Sequence, residues 1–348
     1  MKALTFQGIE SVQVEDVREP SIEQPTDVLV RVELSAICGS DLHVYHGREK
    51  GLDAGTVMGH EFVGEVLEKG KEVEKLRAGD RVVSPFTVSC GRCHFCTIGL
   101  TARCTSSALF GWVENGKGLQ GAQAELVRVP LADSTLVKIP EGARTEEALF
   151  AGDILSTGFF AADAAHVHRH DVVAVIGCGP VGIMAIVAAL ELRAGLVFGI
   201  DFVPERCELA RSFGAHPIVA GKSVPMQAVK DVTEGRGADV VIEAVGSPSA
   251  TRLAYDLVRP GGRISAPGVH TEPQFSFSPG EAYDKNLTYC AGRCSARHLM
   301  ERLLPLIVSR KYDLSRIISH RLPLAEAARG YELFARRLEN CTKVLLLP

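Results

Sequence analysis

Residues 171–182 read DVVAVIGCGPVG, a short apolar strand running into a glycine-rich turn, and no further glycine or proline interrupts the chain from Ile183 to Leu192. A strand that is apolar on both faces needs cover on both, which is the condition of a parallel sheet inside an α/β unit. The segments that follow repeat the pattern: LVFGID as strand, PERCELARSFG as helix, ADVVIEAVG as strand, SATRLAYDLVRPGG as helix and RISAPG as strand. Strands alternating with helices of this length predict βαβ units and a parallel sheet.

Within the turn, Gly177-Cys178-Gly179-Pro180-Val181-Gly182 matches GxGxxG between a strand and a helix. The first glycine permits the tight turn, the second lets the backbone approach a pyrophosphate, and the third allows close helix–strand packing. The helix N-terminus adds N–H groups and partial positive charge. Asp201 stands nineteen residues after Gly182, at the end of the next expected strand. There it can accept hydrogen bonds from adenosine ribose hydroxyls. It also repels a 2′-phosphate, and Phe202 and Val203 offer no Arg to receive one, so NAD is favoured over NADP. A glycine turn that binds nothing would leave this register of strand, helix and acid unexplained.

The remainder of the 348 residues has a different texture. VLVRVELSA (28–36), FVGEVLEKG (62–70), RVVSP (81–85) and AELVRVP (124–130) are Val-heavy runs closed by turn residues, as in a β-rich domain with irregular loops. Beyond residue 290, HLMERLLPLIVSRK and AEAARGYELFARRLE read as amphipathic helices and TKVLLLP as a closing strand. A formal charge of −4 argues against a nucleic-acid partner, which calls for a basic surface. The N-terminal residues lack the apolar core of a signal peptide, and the longest apolar run is broken by Gly-Cys-Gly-Pro, so neither secretion nor membrane insertion is expected and a cytoplasmic location is.

Four of the ten cysteines fall in CGRCHFCTIGLTARC: Cys90, Cys93, Cys96 and Cys104. Four thiolates at this spacing suit a closed, tetrahedral structural zinc site. Independent thiols, a redox CxxC and a nucleic-acid-binding zinc ribbon are the competing readings. The ribbon would need a second ligand pair and a basic surface, and a dithiol would need fewer sulfurs. A saturated ion has no position for substrate, so chemistry must lie elsewhere. ICGSDLHVYHG (37–47) and VMGHEFVGEV (57–66) place Cys38 and His60 at the ends of expected strands. They suit an open zinc site with three protein ligands, although each taken singly also reads as a core residue and the pattern alone does not pair them.

CGSDLH, GHE, the four-Cys loop and GCGPVG, in that order and nearly end to end, resemble the zinc-dependent alcohol dehydrogenases of the medium-chain dehydrogenase/reductase superfamily. The resemblance implies a β-rich GroES-like catalytic domain (1–153 and 293–348) and a Rossmann domain (154–292) with a doubly wound parallel sheet. It implies two zinc ions per chain: a catalytic one on Cys38, His60 and Asp153, the last in AGDILSTGFFAA, and a structural one on the four-Cys loop. Glu61 matches an acid behind the metal that can swing in as an alternative ligand, and Asp41 a carboxylate that orients the ligating His. Ser40 and His43 match the family's proton relay. Thr157, Val181, Arg206, Val245 and Val269 fall where relatives contact the cofactor, and Phe86 and Trp112 where side chains line the substrate pocket. Some relatives carry a basic residue directly after the ligand Cys and use it on the pyrophosphate. Here that residue is Gly39, which leaves the phosphates more dependent on the helix N-terminus.

The function so implied is NAD-linked interconversion of small primary or secondary alcohols with aldehydes or ketones, by a homodimer or homotetramer. GLQGAQAELVRVPLAD also resembles the formaldehyde dehydrogenase-like branch, and polyol dehydrogenases share the same ligands. A metal-free quinone reductase of the superfamily is opposed by Cys38, His60 and the four-Cys loop. A catalytically inactive cofactor-binding protein is the remaining alternative.

Overall fold

The computed structural model describes every residue of the chain except Glu272. It forms two compact units, Met1–Asp153 with Ser295–Pro348, and Ile154–Cys294. Among the described residues, no helix is long and apolar enough to cross a membrane.

The unit Ile154–Cys294 is built on six strands in the order His216–Val219, Leu196–Asp201, Val172–Ile176, Ala238–Glu243, Val258–Ala266 and Thr288–Ala291. All neighbours are parallel. Numbered along this unit the order is 3-2-1-4-5-6, the doubly wound arrangement whose switch point lies beside the first strand. Ala174, Ile176, Ile200, Val241 and Ile264 form the core with Val229, Ala254 and Leu257 from the covering helices. One expectation fails here: VRPGG does not belong to the helix, which ends at Leu257, but opens the strand Val258–Ala266. Pro260 lacks an N–H and its ring pushes Arg259 out of the helical region, so the helix has to stop before them.

In the other unit, the strand Val28–Ile37 is central. It pairs with Val344–Leu347, Glu61–Lys69 and Leu126–Val129. Its alternate residues Val28, Val30 and Val32 are buried among Phe62, Val66, Val82 and Phe110, the half-buried alternation that a period of two produces. Register matters most at one end of this sheet. Ala36 faces Glu61 and Ile37 faces Val344. Cys38, His60 and Lys343 are the residues next to those pairs, so three distant segments are delivered to a single place. Asp153 arrives from a fourth. The helix Thr145–Ala151 ends just before it, and the chain passes so close to Ser84 that a Cβ at Gly152 would lie 2.1 Å from the Ser84 carbonyl oxygen.

Candidate functional site

At that end of the sheet, ligand-type atoms of Cys38, His60, Glu61 and Asp153 all lie within 4.8 Å of one another, and all four residues are buried. The Cys38 thiol donates to Asp153 Oδ2 at 3.4 Å. His60 Nε2 is 3.3 Å from Asp153 Oδ2 and 3.3 Å from the Ser40 hydroxyl. On its other side, His60 Nδ1 is 3.2 Å from Asp41 Oδ1. The same Asp41 carboxylate accepts the Cys38 backbone N–H through Oδ2 at 2.9 Å. Phe86 stands edge-on to the imidazole, 6.3 Å between ring centres.

The electrostatics of this cluster ask for a cation. Burial works against an imidazolium, yet the Asp41 and Asp153 carboxylates outweigh it and push His60 well above its ordinary value. Burial and the Asp153 and Glu61 carboxylates push the Cys38 thiol up to about 11. The neighbouring carboxylates contribute to both shifts, against burial at His60 and alongside it at Cys38. Glu61 Oε2 is buried with no hydrogen-bond partner among the described residues. A thiol, an imidazole and carboxylates around a shared centre are the donor types that zinc takes, so the residues present fit the metal.

Three further side chains support the cluster, and none was signalled by the sequence. Lys343 is 1% exposed; its Nζ donates to Glu61 Oε1 at 2.5 Å and to the Ile37 carbonyl at 3.2 Å. Burial disfavours the ammonium, but the attraction of Glu61, reinforced by Cys38 and Asp153, holds it above its ordinary value. Gln123 Nε2 donates to Asp41 Oδ2 at 3.4 Å, and the Tyr331 hydroxyl donates to Gln123 Oε1 at 3.0 Å.

The remaining residues singled out around Cys38 are less tightly gathered. The His43 backbone N–H donates to the Ser40 carbonyl at 3.0 Å, but no described hydrogen bond joins the Ser40 hydroxyl to the His43 ring. His43 Nδ1 is buried without a described partner; burial and then Arg48 lower its pKa. Trp112 packs on the cluster of Leu4, Ile37, Met58 and Tyr331, and no described contact brings it to His60.

Cys90, Cys93, Cys96 and Cys104 form the second group whose ligand atoms lie within 4.8 Å of one another. Sulfurs bonded to one zinc at 2.3 Å stand about 3.8 Å apart in a tetrahedron, which this spacing accommodates. Backbone N–H groups already point at the sulfurs, Cys90 N at 3.2 Å from Cys104 Sγ, Ser106 N at 3.3 Å from the same atom and Cys93 N at 3.4 Å from Cys90 Sγ. Such donors favour thiolate over thiol. N–H groups of Thr105 and Cys96 draw Cys93 down to about 5, while burial and the neighbouring thiols drive Cys96 up to about 12. The four sulfurs compete for negative charge that a dication would let all of them carry.

In the unit Ile154–Cys294, Gly177 has φ +89°, and a Cβ at Gly182 would lie 1.7 Å from the Gly177 carbonyl oxygen. Gly179 caps the helix Pro180–Glu191, with Pro180 in its first turn and Val181 after it. Asp201 ties the turn together: Oδ2 accepts the Cys178 N–H and Oδ1 the Val203 N–H, each at 2.9 Å. Each oxygen retains a lone pair for a ribose hydroxyl. Arg206 stands 4.0 Å from Asp201. Thr157 is buried in the helix Ile154–Ala164, whereas Val245 and Val269 are about half exposed just past the strands Ala238–Glu243 and Val258–Ala266. Glu243 Oε1 accepts the N–H groups of Val245 and Gly246 at 2.7 and 2.9 Å, pinning that loop.

Residues 24–141 match the alcohol dehydrogenase GroES-like domain and residues 180–309 the zinc-binding dehydrogenase domain. The chain is 48% identical over 292 residues to a medium chain reductase/dehydrogenase of Acremonium sp, covering 82% of this chain and 98% of that protein. It is 42% identical over 342 residues to zinc-type alcohol dehydrogenase B of Aspergillus flavus, covering 96% and 78% respectively. The solved alcohol dehydrogenase TADH from Thermus sp. ATN1 superposes with a TM-score of 0.94 at 44% identity, over 100% of this chain and 99% of that one. With a domain of one family matched in each of its two units and a solved relative following it from end to end, the chain belongs to the zinc-type alcohol dehydrogenases of the medium-chain dehydrogenase/reductase superfamily.

Proposed function

We propose that this protein is an NAD-linked dehydrogenase that interconverts small primary or secondary alcohols with aldehydes or ketones, using a zinc ion held by Cys38, His60 and Asp153. The observation that carries the reading is the buried convergence of these residues with Glu61, in a family that binds zinc. Bound there, zinc supplies Lewis-acid polarisation of the substrate oxygen and NAD the hydride acceptor; Cys90, Cys93, Cys96 and Cys104 hold a second, structural zinc.

The chain's own residues do the rest. Asp41 takes the Nδ1–H of His60 and so leaves the Nε2 lone pair to the metal. Ser40, beside that nitrogen, accepts the substrate's hydroxyl proton at Oγ as it passes its own proton on. His43, whose pKa is lowered by burial and by Arg48, is the acceptor further out. Phe86 lines the apolar side of the site and limits substrate size. The test is metal content with NAD reduction on a panel of small alcohols, a polyol and hydrated formaldehyde. Cys38→Ala is expected to take zinc from two per chain to one and to abolish activity. Two zincs retained, or activity surviving, overturns the reading.

Cofactor choice rests on Asp201. A solved relative from Sinorhizobium meliloti, 26% identical, is bound to NADP, so the family alone does not choose. Both Asp201 oxygens are fixed by backbone N–H groups, and a 2′-phosphate would meet a carboxylate that cannot swing away. Asp201→Ala is expected to lower kcat/KM for NAD by roughly 10–100-fold, equivalent to about 1.4–2.8 kcal/mol, while NADP loses nothing or gains. An equal loss for both cofactors would show the acid to be a loop brace only.

A further inference from the structure

We propose that Gln123 and Tyr331 are positioning residues for the metal, acting through Asp41 to hold His60 and Cys38 in ligating geometry. The inference rests on the metal reading of the Cys38 cluster given above. Both side chains are fully buried, and they lie 63 and 271 positions from His60 in the chain.

The hydrogen bonds leave one consistent arrangement. Gln123 Nε2 donates to the Ala36 carbonyl at 3.1 Å and to Asp41 Oδ2 at 3.4 Å. Both partners are acceptors only, so reversing the amide would set oxygen against oxygen twice; its orientation is forced. Gln123 Oε1 must then face a donor, and it does: the Tyr331 hydroxyl donates to it at 3.0 Å. Burial holds that phenol well above its ordinary pKa, which keeps the proton in place.

Donors therefore run in one direction, from Tyr331 to Gln123 to Asp41. Asp41 Oδ2 collects two N–H groups, from Gln123 and from the Cys38 backbone. Its other oxygen is thereby aimed at His60 Nδ1, which must carry the proton and present Nε2 to the metal. A single carboxylate thus orients two ligands, and its own orientation is set by the amide. Packing couples the same residues. The Gln123 N–H donates to the Met58 carbonyl at 2.8 Å, and a Cβ at Gly59, the neighbour of His60, would lie 2.4 Å from Gln123 Cγ. The amide is wedged beneath the backbone that carries His60.

Tyr331 comes from the helix Ala327–Arg336, so this chain of bonds makes the C-terminal segment part of the ligand geometry. Disturbing the carboxylate behind a ligating imidazole typically costs about 10–100-fold in metal affinity, and the partners of that carboxylate should act in the same direction.

The experiment follows loss of zinc from the intact protein to a chromogenic chelator. The four-Cys zinc in the same molecule serves as the internal reference. Wild-type stoichiometry comes first: a protein holding no zinc at Cys38 refutes the metal reading itself, separately from this inference. Given two zincs, Tyr331→Phe is expected to speed release of one of them by about tenfold and Gln123→Met by about 10–100-fold, with the second zinc unchanged. The double variant should release no faster than Gln123→Met alone, because Tyr331 acts through the amide. Cobalt substituted at the site should show an altered d–d spectrum in both single variants. A lower Tm with unchanged release of both metals, or equal acceleration of both, would make the pair ordinary core residues and overturn the proposal. Should Gln123→Met fail to fold, Tyr331→Phe, which deletes only the hydroxyl, still decides.

Discussion

Replacing Lys343 with Met is expected to destabilise the metal-free protein by about 3–5 kcal/mol, the usual consequence of stranding one member of a buried ion pair. The volume is nearly conserved, so packing is not what is lost. What is lost is the ammonium 2.5 Å from Glu61 Oε1 in a place where lysine and glutamate are 1% and 0% exposed. Glu61 Oε2 already lacks a partner among the described residues, and Asp153 is close enough to repel it. The compensating variant tests the cause. Lys343→Met with Glu61→Gln should recover most of the loss, since an uncharged pair no longer bears the cost of an isolated charge. Denaturant titration of the four proteins in the mutant cycle reads the coupling directly. Additive effects would show that Lys343 contributes packing alone.

Cys96→Ser is expected to lower the zinc content by one and to open residues 90–104 to trypsin, with cleavage at Arg92 or Arg103 accelerated at least about tenfold. The reason is that this loop buries no large apolar side chain: what it buries is small, Thr101, Ala102 and Cys104. Phe95, Ile98 and Leu100 are 37%, 55% and 40% exposed; the helical turn His94–Thr97 buries no residue, and the turn Thr101–Arg103 buries only the small side chains of Thr101 and Ala102. Zinc binding is worth about 10–16 kcal/mol in small domains of this kind, far more than the loop's apolar contacts could replace. The Cys38 cluster, built from other segments of the same unit, should keep its metal. Proteolysis at the wild-type rate would mean that the loop is held by the surrounding chain and that its metal is incidental.

The parallel-sheet unit could be read from sequence because its signals are local. Apolar runs alternate with helical stretches, and two glycines of the turn answer constraints imposed within a few residues, the positive φ of Gly177 and the close approach of Gly182 to the Gly177 carbonyl. Elements with weak patterning escaped that reading: the strands His216–Val219 and Thr288–Ala291, and the helix Pro225–Val232 between them. Each is short, and the two strands take their stability from a neighbour already in the sheet, His216–Val219 against Leu196–Asp201 and Thr288–Ala291 against Val258–Ala266.

Sequence alone determined the fold class and located the four-Cys loop, whose sulfurs lie within fifteen residues of one another and need only a local turn to meet. The pairing of Cys38 with His60 and Asp153 was decided by tertiary structure. It depends on the register that sets Ala36 against Glu61 and Ile37 against Val344, and a strand's register is set by the faces it buries and the strands beside it. Lys343, Gln123 and Tyr331 had no signal in sequence at all. A buried lysine, glutamine or tyrosine looks like any other until the chain closes, and only then does the absence of water oblige each polar group to find the partner that gives it a role.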